Sequence, residues 1–222
     1  MLKTYLICQR NQSKHNMIEQ LSSWQTADLV FICLDWNDSK SREHLGTVSK
    51  MVKQLGVFLI IIVVHKTPFD SYAQVPDCNT LLLIPLNDLP DYTGESQPIT
   101  CIEAKKKYYL PLAIRGFVEE KMSAKVGFDF AEVHKLWSQG GVATLGVGFA
   151  SGTDRDIKAA NKALSCRNIE DIIHDSSLAQ LSVICTDRSD SEIDNIAKLI
   201  RKKFNLMALY ISLHLTKLLQ IH

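Results

Sequence analysis

Residues Val57–Val64, VFLIIIVV, form an uninterrupted, mostly β-branched apolar run. A strand with one wet face alternates polar and apolar residues, whereas a run without polar positions needs cover on both sides, as in a parallel sheet flanked by helices. Neighbouring segments supply the rest of such a sheet. KTYLICQ, DLVFICL and TLLLIPL read as further strands. Between them, HNMIEQLSSWQTA repeats Met17, Leu21 and Trp24 at helical spacing. The stretch Glu43–Leu55 places Leu45, Val48, Met51, Val52 and Leu55 on one helical face and stops at Gly56. Strand, helix and strand at these spacings predict a doubly wound α/β unit.

Asp88–Thr100, with Pro90, Gly94 and Pro98, predicts a surface loop. A long helix is expected from about Ile102 to Met122, which Pro111 should kink or divide by removing a backbone donor. From about Val126 the pattern changes. FDFAEVHKLWSQ reads as a helix capped by Asp129, and GVATLGVGFASG as a strand. Helix, strand, helix and strand follow in DRDIKAANKALSC, AQLSVICTD, SEIDNIAKLIRKKF and LMALYISLHL. This predicts a smaller α+β domain after the parallel sheet.

The net charge of +1 gives no electrostatic reason to expect nucleic acid or an anionic membrane surface as a partner. Six cysteines, without a CxxC pair, lie mostly in apolar runs and are expected to be reduced and buried, in a cytoplasmic protein. Seven histidines show no HExxH or paired spacing, so no metal is expected. No signal peptide is read at the start, VFLIIIVV is too short to span a bilayer, and the apolar end carries His214 and Lys217. Membrane insertion is therefore not expected.

GGVATLGVGFASGTDR, residues 140–155, holds five of the ten glycines. Such a cluster either cradles a phosphate or lets backbones meet at a strand-to-helix corner. GVGFASG fits neither GxGxxG nor a Walker A loop, and no Lys-Ser/Thr pair closes it, which favours the corner.

DFAEVHKLWSQGGVATLGVGFASGTDR resembles the synergy loop of the FtsZ family, the bacterial tubulin-like cell-division GTPases, with the strand and helix after it. NIEDI with LSVICT, and upstream ADLVFI, KQLGVFLIIIVV and NTLLLIPLND, are similar to further FtsZ segments, so the resemblance spans roughly Ala27 to Phe204. It implies a tubulin/FtsZ-like α/β fold: a parallel-sheet nucleotide-domain remnant over 1–100, a connecting core helix over 101–125, and a C-terminal-like α+β domain over 126–222. The family's first glycine-rich loop and first strands have no counterpart before Met1. The glycines of residues 140–155 fall, by resemblance, in the C-terminal domain, away from nucleotide.

The departures lie where FtsZ binds GTP. Ungapped counting places its GGGTGTG phosphate loop on Asn37, Asp38, Ser39, Lys40, Ser41, Arg42 and Glu43, where no glycine remains. Seven side chains, two of them acidic, prevent the close peptide approach that a triphosphate needs. The guanine-binding aspartate position falls on Lys107, which only donates. The base-stacking aromatic aligns with Glu103, with Tyr108 or Tyr109 as nearby substitutes. Asp70 stands for the sugar-contacting glutamate and Gln74 for the arginine beyond it. Asp129 and Glu132 match the synergy-loop carboxylates that would act in trans on a neighbouring subunit, with Gly127 replacing asparagine; the plain alternative is a helix cap and a solvated carboxylate. The expectation is a protein without cofactor that works by contact with another FtsZ-like subunit or a genuine FtsZ, as a filament modulator or cap. The alternatives are a divergent GTPase that binds GTP or GDP and forms filaments, and a decayed gene product.

Overall fold

The computed structural model describes residues 4–8, 27–66, 69, 74–91, 99–118, 141–166, 169, 178–185, 189–204 and 208–215. The chain forms two compact units, Met1–Asn87 with Trp137–Leu145, and Asp88–Leu136 with Gly146–His222.

The first unit is built on five parallel strands in the order β1 (Thr4–Cys8), β2 (Leu29–Asp35), β3 (Phe58–His65), β4 (Thr80–Pro85) and β5 (Val142–Thr144). Every residue of β3 is buried, as its unbroken apolar run requires. Helix α1 (Ser39–Glu43) and helix α2 (Leu45–Gln54) follow β2, separated by His44. Leu45, Val48 and Val52 of α2 pack on Val30, Leu59 and Ile61 of the sheet. Gly56 then takes φ +69, a left-handed conformation in which a side chain would be strained. The helix expected over Glu43–Leu55 thus begins at Leu45, and the residues matched to the phosphate loop are largely α1, because Asp38 caps that first turn.

The second unit contains α3 (Ile102–Val118), α4 (Arg155–Leu164), β6 (Leu178–Cys185), α5 (Asp190–Lys203) and β7 (Ala208–Leu215). Strands β6 and β7 pair in parallel, Leu178 opposite Ala208 through Cys185 opposite Leu215. Ala160 and Leu164 of α4 meet Ile196 and Ile200 of α5 in a small core that Phe204 completes. A capping box starts α5: the Ser189 hydroxyl accepts from the Glu192 N–H at 3.3 Å, and the Glu192 carboxylate accepts from the Ser189 N–H at 3.0 Å. Glu192 also receives the Arg155 guanidinium on both oxygens, at 2.6 and 3.0 Å, tying α4 to α5. Those bonds hold its carboxyl at about 2, below the usual 4.5.

Two expectations change. Of the two outcomes expected at Pro111, a kink or a division, the division does not occur: α3 runs unbroken from Ile102 to Val118. Pro111 and Lys107, whose carbonyl loses its helical donor, are both exposed, so water can meet the freed group. The strand expected over GVATLGVGFASG is ordered as strand only from Val142 to Thr144, and it joins β4 of the first sheet rather than the α+β domain. Beyond it the backbone follows α4 instead. A Cβ on Gly148 would stand 1.9 Å from the Ala159 carbonyl oxygen, and one on Gly146 2.5 Å from that of Ala163. These glycines exist so that main chain can lie against a helix, which is the corner reading of the cluster.

Candidate functional site

The site that the sequence singles out begins where β2 ends. The Trp36 N–H donates to the Val64 carbonyl at 2.9 Å, holding the exit of β2 against β3. The Asp35 carboxylate accepts from the Asn37 N–H at 3.0 Å and from Asn37 Nδ2 at 3.2 Å. Asp38 is the N-cap of α1; its carboxylate accepts from the Lys40 N–H at 3.1 Å and from the Ser41 hydroxyl at 3.0 Å. Free N–H groups at such a turn are what an anionic ligand uses. Here two of them, those of Asn37 and Lys40, already meet carboxylates of the chain itself. Asn37, Ser39 and Lys40 are exposed, Asp38 and Arg42 half-buried, and Ser41 buried.

Arg42 folds back over the Trp36 ring, 5.2 Å from its centroid. Trp36 meets Phe69 edge-on at 4.9 Å, and Phe69 lies 5.5 Å from the His65 ring. Trp36 and Phe69 also rest on the core of the first unit. The carboxyl ends of the strands, where an open parallel sheet takes its ligands, thus carry a stacked cation and three rings beside β2 and β3. The Arg42 Nε is buried with no hydrogen-bond partner among the described residues. Trp36, His65 and Phe69 were not among the residues that the sequence nominated. Their signal was position, since Trp36 directly follows one buried strand and His65 closes another.

In the second unit, Lys107 is exposed on α3. Glu103 pairs with Lys106 at 2.8 Å, one helical turn away. Tyr109 is wholly buried and donates from its hydroxyl to the Pro90 carbonyl at 2.7 Å, and burial raises its phenol pKa. A ring spent in this way is no exposed base-stacker, which corrects its nomination as a substitute. Tyr108 is half-buried, edge-on to Tyr109 at 5.2 Å. Lys105, overlooked in the sequence, is buried and joins the Leu89 carbonyl at 2.7 Å and the Asp91 carboxylate at 2.6 Å. Gln74 is exposed. Asp70, Gly127, Asp129 and Glu132 lie outside the described residues.

Among the described residues no three His, Cys, Asp or Glu side chains gather to hold a metal, and no helix is long and apolar enough to cross a membrane. Burial raises the Cys166 thiol and takes Cys78 to about 11, so neither is a ready nucleophile.

No protein-family model matches the chain. Two solved M. jannaschii FtsZ structures share its fold: an FtsZ mutant, with a TM-score of 0.74 at 19% identity over 92% of this chain and 65% of that one, and an empty FtsZ dimer, with a TM-score of 0.72 at 20% identity over 93% and 64%. The protein thus has the α/β fold of the FtsZ and tubulin class. In sequence, the cell division protein FtsZ of Azotobacter vinelandii is 26% identical over 160 residues, which are 67% of this chain and 41% of that protein. The chain is a diverged FtsZ-like protein, and its match spans about two-fifths of that relative's length.

Proposed function

We propose that this protein serves cell division without GTP, as an FtsZ-like module that acts by protein contact and modulates or caps filaments of another FtsZ-like subunit or a genuine FtsZ. One observation carries the reading. The turn after β2 is capped by Asp38, and the strand ends beside it carry Trp36, Phe69, His65 and the folded-back Arg42. A triphosphate brought there would meet the Asp35 and Asp38 carboxylates and displace the Arg42–Trp36 stack, instead of finding bare peptide. A head-to-tail filament grows only if both faces of each subunit work, so a subunit that docks by one face and offers no nucleotide on the other ends the chain.

Titration of the purified protein with GTP and GDP should give no saturable heat, and a Kd tighter than about 1 µM would overturn the reading. Added to polymerising FtsZ from Azotobacter vinelandii, the protein should reduce the sedimented polymer. Unchanged polymer mass at excess protein would refute capping.

The second reading, a divergent GTP-binding and filament-forming GTPase, draws on the Arg42 Nε, buried and without an acceptor among the described residues. A guanidinium can meet phosphate through its side chain where a glycine loop would use its backbone. Nucleotide binding that disappears in Arg42→Ala would favour it.

A further inference from the structure

On the first unit, beside α2, an open cleft of about 390 Å³ is lined by Gly46, Ser49, Lys50 and Lys53 of the helix and by Pro76 and Asp77 opposite. Gly46, Ser49, Lys50 and Lys53 are spaced by three, four and seven residues from the first, so they form one stripe along α2. Two observations there find no explanation within the described residues. A Cβ on Gly46 would meet nothing within 4 Å, so packing does not call for glycine at that position. Ser49 is 1% exposed, yet its hydroxyl has no hydrogen-bond partner, a costly state for a buried polar group. The bare backbone at Gly46 admits a close neighbour, and the Ser49 hydroxyl has a proton to donate to it.

Charge selects the neighbour. Lys53 is neutralised by Asp77 across the cleft, whereas Lys50 is exposed and pairs with nothing among the described residues. The space is in the range of organic ligands and large for a lone inorganic anion. We infer that the Gly46–Ser49 notch is a docking groove for an extended acidic segment of a partner protein, its backbone lying against Gly46 and a carboxylate reaching Lys50 and the Ser49 hydroxyl. Such docking presupposes the contact-based mode of action above, but neither the filament partner nor an empty nucleotide site.

The probe is a hexaglutamate peptide, followed through backbone amide shifts of the full chain. Saturable shifts at Gly46, Ser49 and Lys50 are expected, weakening with salt. Gly46→Leu projects a side chain into the notch from a Cβ that meets nothing within 4 Å, so it should keep the dispersed spectrum of the folded chain while weakening the peptide about tenfold. Lys50→Glu should abolish binding, and Ser49→Ala should weaken it with folding intact. Shifts spread evenly over other lysines, full affinity in folded Gly46→Leu, or inorganic phosphate saturating the same amides as tightly would each overturn the proposal. GTP binding that perturbs Arg42 and leaves these amides unmoved would instead defeat the contact-based reading alone.

Discussion

Two turns of this molecule lead from strand to helix and solve the same geometric problem in opposite ways. After β2, no glycine occurs between Asp35 and α1, and the corner is made by side chains: Asp38 caps, Asp35 holds Asn37, and Arg42 covers Trp36. After β5, Gly146 and Gly148 make it by removing side chains, so that the backbone lies against the carbonyls of α4. The glycine-rich corner is thus the structural one. The corner where the FtsZ resemblance places a phosphate loop is rich in side chains. Glycine reports close backbone approach, and only the surroundings say whether a ligand or a helix approaches.

The contrast breaks first at Gly148. Gly148→Ala drives a Cβ into the Ala159 carbonyl and should cost about 3 kcal/mol or more, read as a lower urea midpoint. Gly146→Ala, with more room and the Ile169 side chain as a second neighbour, should cost less, about 1–3 kcal/mol. A neutral Gly148→Ala would remove the structural account of the cluster.

Side-chain corners should fail more gently. Asp38→Ala, which strips the cap from α1, should lower stability by about 1 kcal/mol in thermal melts. In the second unit, Ser189→Ala opens the capping box of α5 at a similar cost, about 1 kcal/mol. Glu192 adds a pH dependence. Its folded-state pKa of about 2 lies below the ordinary 4.5 because Arg155 and the Ser189 N–H stabilise the carboxylate. Its contribution is complete above about pH 4.5 and is lost as pH falls toward 2. Urea melts at pH 6 and pH 3 should show the difference between Glu192→Gln and the parent protein shrinking at the lower pH; an equal difference at both would contradict the assignment. The smallest effect belongs to Gly46→Ala, which meets no atom and should change stability by no more than about 0.5 kcal/mol, in the stabilising direction.

The parallel sheet was legible because full burial leaves a mark in one dimension. The β3 run carries no polar residue, and the Leu45, Val48 and Val52 face of α2 repeats at helical spacing. The capping box was equally readable as Ser189 followed three residues later by Glu192, although it was overlooked. The side-chain corner after β2 was legible by composition, since the seven residues from Asn37 to Glu43 include no glycine.

What the sequence by itself determined was therefore the order of strands and helices, the apolar faces, and the absence of glycine from the turn after β2. Tertiary structure alone decided that β5 would leave its neighbours in sequence to pair with β4, that Tyr109 would be spent on the Pro90 carbonyl, and that His65, Phe69, Trp36 and Arg42 would stack on one another. Periodicity encodes which face of an element is buried. Contacts between residues far apart along the chain depend on the packing of whole elements, and no local pattern carries that information.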